Sequence, residues 1–222
     1  MFRDATLVAG KDLRVELRSR VTTNQVVPFA VLVLVLFAFA LDPDRGILTR
    51  ATAGLYWVAV LFAALLAVQR AFALESGDGT RDSLRLSGLD PAGVFLGKAA
   101  GIAVLLLGLE LVLGLGVVLL YGADLHEPVL LALTCLFATA GLAAAGTVYG
   151  VLAAGLRVRE TLLPLLLLPV VAPVLIGATQ ASEAALGGVT SDGWPWLALL
   201  AIFALVYLAC GVLAFGPLLE DT

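Results

Sequence analysis

AAGIAVLLLGLELVLGLGVVLLY, Ala99–Tyr121, carries one ionisable side chain, Glu110, in a run otherwise apolar up to its terminal tyrosine. An α-helix needs roughly 17–25 such residues to cross the hydrocarbon core of a bilayer. Lipid offers no hydrogen bonds to the backbone, so the run must satisfy its own N–H and C=O groups as a helix. Reading outward, the same criterion marks Val21–Leu41, Gly54–Leu74, Val129–Gly155, Leu162–Thr179 and Trp194–Leu219. The expectation is an all-α integral membrane protein with six transmembrane helices, forming one domain over 1–222.

Composition agrees. The 222 residues are 61% hydrophobic and 14% charged, against roughly 45–50% and 25% in soluble domains. Mean hydropathy is +1.07. A soluble domain or a disordered chain is excluded. An outer-membrane barrel is excluded as well, because its strands alternate apolar and polar residues. The net charge of −4 offers no basic surface for nucleic acid.

Catalytic and metal-binding patterns fail one by one. GVFLGKA (Gly93–Ala99) lacks the glycine spacing and the Ser or Thr of a nucleotide-binding loop. Any ATP use would then belong to a partner. His126 is the single histidine and lacks the second histidine of an HExxH zinc motif. Cys135 and Cys210 lie inside apolar runs and form no CxxC, so both read as packing residues. The charged first 25 residues do not read as a cleaved signal peptide. No catalytic residue, metal ligand or bound cofactor is expected.

Basic residues set the expected orientation. Arg3, Lys11, Arg14, Arg18 and Arg20 precede the first span; Arg70, Arg81, Arg85 and Lys98 flank the second loop; Arg157 and Arg159 fall in the fourth. The opposite side has only Arg45 and Arg50. Both termini are therefore expected in the cytoplasm, in a multi-pass protein of the cytoplasmic membrane. Tyr56, Trp57, Tyr121, Trp194 and Trp196 would then stand at the outer interface.

Two segments outside the spans are informative. In 1–20, Phe2, Thr6, Ala9, Leu13 and Leu17 recur at helical spacing. This predicts an amphipathic helix in the inner interface, with a plain basic tail as the alternative. In the loop 75–98, ESGDGTRDSLRLSG predicts a short helix ended by Gly88, followed by a second start with Asp90 as cap and Pro91 in first position. A short helix at such a turn suits docking into a partner; an ordinary solvated loop is the alternative.

Within the membrane, Glu110 lies too far from either end of its run to snorkel. An acid at that depth marks a functional site or a carboxyl hydrogen-bonded to a neighbouring helix. Leu162–Thr179 carries Pro164, Pro169 and Pro173. Proline removes a backbone donor, so this span is expected to kink, with Pro169 and Pro173 opening one face and 180–193 dipping back into the outer leaflet. Gly97-xxx-Gly101 and Gly146-xxx-Gly150 permit close helix approach.

The chain resembles the permease subunits of ABC-2-type (type V exporter-like) transporters. More specifically it is similar to the haem exporter protein B (CcmB) family of cytochrome c maturation. The likeness covers nearly the whole chain and is densest from Gly54 to Lys98, where Arg70, Phe72, Asp78, Gly79, Leu84, Pro91 and Lys98 match the family string. Gln69 departs from it, standing where an acid is expected, and Glu110 belongs to no family signature. The resemblance implies a permease homodimer paired with a separate ABC ATPase subunit (CcmA-like), a haem-handling membrane subunit (CcmC-like), a small single-span subunit (CcmD-like) and a haem chaperone, with haem as the handled ligand. It implies that 75–98 is the coupling loop, with Asp78, Gly79, Arg81, Asp82, Leu84, Arg85 and Leu86 meeting the ATPase. An ABC-2 permease exporting a drug, lipid or polysaccharide would share the fold. A non-ABC carrier would show paired intramembrane charges or inverted repeats, and neither is visible.

Overall fold

The computed structural model describes residues 1–19, 22–41, 46–73, 88–154 and 159–220. The coupling residues Asp78–Leu86 lie outside them. The described residues form seven α-helices and no strand: α1 Phe2–Ser19, α2 Val27–Ala40, α3 Ile47–Ala73, α4 Pro91–Tyr121, α5 Pro128–Ala154, α6 Arg159–Leu186 and α7 Thr190–Glu220. Five, α3 to α7, are each long and apolar enough to cross a membrane.

The first span, expected as one helix over Val21–Leu41, is divided between a π-helical turn and a short α-helix. α2 has 14 residues, about 21 Å at 1.5 Å per residue, short of a hydrocarbon core of roughly 30 Å. A π-helical turn, Thr22–Val26, extends it toward α1. α1 and the stretch Asn24–Ala40 meet at a 54° bend and count together as a sixth candidate crossing. α1 is charged along its length, from Arg3 to Arg18. Those charges keep α1 out of hydrocarbon and leave the crossing to the residues that follow.

Helix starts and stops follow local chemistry. Asp90 caps α4 by accepting from the Ala92 N–H at 3.1 Å, with Pro91 in the first turn, as the sequence predicts. Gly88 has φ +66°, the left-handed turn expected at that position. Gly122, also left-handed at φ 62°, ends α4.

α6 is longer than the Leu162–Thr179 span read from the sequence. It runs unbroken through Pro164, Pro169 and Pro173 as far as Leu186. No re-entrant segment follows over 180–193. Instead Gly187 N–H donates to Glu183 O at 2.8 Å and Val189 N–H to Ala184 O at 3.0 Å. This tight turn leads directly into α7.

Small residues hold the bundle together, as expected where lipid is as apolar as the side chains. Gly146 receives Val68 of α3, and a Cβ on Gly150 would overlap the Phe72 ring. Gly211 of α7 likewise receives Phe95 of α4, whose ring lies 5.5 Å from Phe215. Two of the aromatics expected at the outer interface turn into the bundle. Trp57 is buried and donates to Ser182 Oγ at 2.9 Å. Tyr121 is buried and donates to the Leu34 carbonyl at 3.0 Å. A buried ring needs a partner for its polar tip, and both find one on another helix.

Candidate functional site

Two polar clusters stand out in this apolar bundle. The first joins α1 to the ends of α3 and α4, on either side of the segment 74–87. α4 presents Gly93, Gly97 and Gly101 at four-residue spacing, which puts them along one side of the helix. A Cβ on Gly97 would lie 2.7 Å from the Ala5 carbonyl oxygen and 2.7 Å from Val8 Cβ. A Cβ on Gly93 would lie 2.8 Å from the Met1 carbonyl oxygen. The backbones of α1 and α4 therefore touch with nothing between them.

Acids of α1 face basic residues flanking this groove. Glu16, buried, accepts from Arg70 Nε at 2.9 Å, and Arg70 also donates to Ser19 Oγ at 2.9 Å. Asp12 lies 3.8 Å from the ammonium of Lys98, whose side chain is only 2% exposed. That ammonium also stands 5.0 Å from the centre of the Phe72 ring, a cation–π distance. At the start of α1, the Met1 ammonium lies 3.2 Å from Asp4 and 3.4 Å from Asp90. Its hydrogen bond holds the Asp4 carboxyl below the usual carboxylate range and raises the ammonium in turn.

The docked face of α1 is thus Asp4, Ala5, Val8, Asp12 and Glu16. Phe2 and Leu17 of that stripe are exposed, the side an interfacial helix turns to lipid. The sequence reading found Gly97 and Gly101 but missed Gly93, Asp12 and Glu16. The signal was present: acids at i and i+4 on α1, and a third glycine in register on α4.

The second cluster surrounds Glu110, roughly two-thirds of the way along α4. Its Oε1 accepts a hydrogen bond from the Thr139 hydroxyl of α5. Its backbone carbonyl accepts from the Tyr56 hydroxyl of α3 at 3.3 Å, and that hydroxyl stands 3.7 Å from Cys135 Sγ. Its other oxygen, Oε2, is buried and has no hydrogen-bond partner among the described residues. Glu110 lines a cavity of about 500 Å³ between α3, α4, α5 and the end of α6, with Thr52, Leu107, Gly114, Leu131 and Ser182 among its other walls. Leu111, Leu115 and Val118, also lining it, are exposed. The rim therefore reaches the outside of the bundle, where lipid tails stand.

The roof of this cavity is pinned across two turns. Glu127 N–H donates to Ala185 O at 3.2 Å, and the His126 ring bonds the Leu186 carbonyl at 2.8 Å through Nδ1. Pro169 and Pro173 are exposed on α6 and do not line the cavity. The structure does not bring them to Glu110. Cys135 lines the cavity and Cys210 is exposed. Among the described residues no group of three or more metal-ligating side chains is present.

Residues 3–220 match the family described as CcmB protein. The chain is 33% identical to the heme exporter protein B of Bradyrhizobium diazoefficiens, over 92% of this chain and 91% of that protein. It is 34% identical to that of Haemophilus influenzae, over 80% of each. It is 32% identical to that of Paracoccus denitrificans, over 95% of each.

Proposed function

The chain belongs to the CcmB protein family, and from that premise we propose that it works as the membrane permease subunit of a haem-export system serving c-type cytochrome maturation. The match over almost the full length carries this reading, since the relatives are heme exporter proteins B of nearly the same length. The protein is multi-pass and all-helical. It lies in the cytoplasmic membrane with both termini in the cytoplasm, on the argument from basic residues.

ATP hydrolysis takes place on a separate CcmA-like subunit that docks on 75–98. Leu84 and Leu86 supply the apolar anchor, while Asp78, Arg81, Asp82 and Arg85, with the turn at Gly79, give register. The cluster around α1 supports this coupling. Arg70 ends the span before the docking segment, and Asp90 and Lys98 begin the span after it. All three reach α1, through Glu16, Met1 and Asp12 respectively. A push on the segment then moves α3, α4 and α1 as one body. A CcmC-like haem-handling subunit, a CcmD-like single-span subunit and a haem chaperone complete the assembly around a permease homodimer.

Two experiments test the reading. Deleting the gene and staining membrane proteins for covalently bound haem is expected to show loss of all c-type cytochromes, restored by the intact gene. Normal cytochromes would reject the maturation role and leave an ABC-2 permease with another cargo. Leu84→Asp is expected to abolish co-purification of the ATPase. Undiminished co-purification with normal ATP-coupled activity would reject the docking assignment.

A further inference from the structure

The clamp accounts for one face of α1 and leaves two others to explain. α1 has three acids, Asp4, Asp12 and Glu16, and each is drawn into the docked face, toward Asp90, Lys98 and Arg70 respectively. It has four basic side chains, Arg3, Lys11, Arg14 and Arg18, and all four are exposed. With Leu7 they follow steps of four, four, three and four residues, which is one line along a helix. Lys11 shares its charge with Asp12 at 3.1 Å. Beside that line run Phe2, Leu13 and Leu17; Phe2 is 79% and Leu17 71% exposed. A solvated surface intersperses both signs of charge. Here the signs are sorted, acids inward and bases outward, in a chain whose net charge is −4.

Helix lengths put this face at lipid headgroups. The 31 residues of α4 span about 46 Å, enough for the hydrocarbon core and both headgroup layers, roughly 40–45 Å. α1 docks along Gly93–Gly101, in the first third of α4, and so stands at the headgroup layer of one surface. Arg18 comes four residues before the π-helical turn that opens the first crossing, within about 14 Å of it even for extended chain.

We propose that the line of Arg3, Lys11, Arg14 and Arg18 binds the headgroup phosphates of anionic phospholipids, with Phe2, Leu13 and Leu17 seated among their acyl chains. Guanidinium groups pair with phosphate oxygens through charge-assisted hydrogen bonds. A basic cluster on an amphipathic helix beside a membrane span is the pattern that anionic lipid recognises. An acidic protein segment would complement the cations but not the apolar line next to them, whereas a lipid surface complements both. The proposal needs only α1 at the membrane surface and does not rest on the maturation role.

The test uses the full chain in phosphatidylcholine nanodiscs. Phe2→Trp is the reporter, with the emission of the parent chain subtracted. Brominated phosphatidylglycerol and brominated phosphatidylcholine are introduced at rising mole fraction. Half-quenching by the anionic lipid is expected at a mole fraction lower by about fivefold or more, the factor that one cation contributes at an anionic surface. Arg14→Gln with Arg18→Gln is expected to remove most of the difference, and Arg3→Gln, at the other end of the line, to reduce it by a smaller factor. Arg50→Gln, exposed at the opposite end of α3, is expected to leave it unchanged. Inorganic phosphate at constant ionic strength is expected not to displace the anionic lipid. Equal quenching by the two lipids would overturn the proposal and leave the face to an acidic protein partner. Undiminished preference in the α1 variants would overturn it too. So would a loss in Arg50→Gln as large as in the double variant, which would make net charge the cause, or release by phosphate, which would make the site one for a free anion.

Discussion

The clamp on α1 and the cavity on the far half of α4 both bury ionisable side chains, yet they do so in opposite ways. At the clamp each charge has its complement: Glu16 holds Arg70 at 2.9 Å, and Lys98 sits with Asp12 and the Phe72 ring. At Glu110 one carboxyl oxygen accepts from Thr139, and the other is buried with no hydrogen-bond partner among the described residues. Satisfied charge fixes helices in register. A buried oxygen without a partner costs stability instead of fixing register.

Variants can break or sharpen this contrast. The largest effect is expected from Gly97→Val, which drives a side chain into the backbone of α1. Overpacking of this kind costs about 3 kcal/mol, and α1 should separate from α4. Loss of a disulfide engineered between α1 and α4 would report it; an intact cross-link and unchanged melting would contradict the groove.

Glu16→Ala comes next. It leaves the Arg70 guanidinium, side chain 27% exposed, without its carboxylate, at about 2 kcal/mol. Exchanging the two as Glu16→Arg with Arg70→Glu should recover most of the loss in thermal unfolding. No recovery would mean that packing rather than charge holds the clamp.

Glu110→Gln is expected to change stability by less than about 1 kcal/mol. The Thr139 hydroxyl can still donate to the amide oxygen, and the cost of a lone acid disappears. A destabilisation as large as that of Glu16→Ala would erase the distinction between the two clusters.

The smallest effect belongs to Asp4→Asn, at an exposed pair screened by salt. Because the Met1 ammonium lowers the Asp4 carboxyl, its contribution is present above the ordinary carboxylate range. It fades as pH falls through that lowered value. The difference between Asp4→Asn and wild type in melting should therefore shrink in acid and in high salt.

Sequence and structure agree where the physics is local. Long apolar runs mark α3 to α7 because a bilayer demands them, and Asp90-Pro91 marks the start of α4 because capping needs only neighbours. Glu110 was legible as a lone acid in a 31-residue helix. Its surroundings were not, since Tyr56, Thr139 and Cys135 come from two other helices. The docking face of α1 was not legible for the same reason. Its apolar stripe was the stronger periodic signal, but the face that packs is chosen by three glycines and two cations far along the chain. The partners of Trp57 and Tyr121 were not legible because they too come from other helices. The three prolines of α6 leave it unbroken, and two of them face outward.

The glycine groove also has a consequence in time. α1 leaves the ribosome first, but Gly93, Gly97 and Gly101 follow roughly ninety residues later, about 5–20 s at ordinary rates of synthesis. Throughout that interval the acids of α1 have neither the groove nor Lys98 to meet. The exposed stripe with Phe2 and Leu17 then has a use before the fold is complete. An amphipathic helix with such a stripe would rest in the membrane interface until α4 is made.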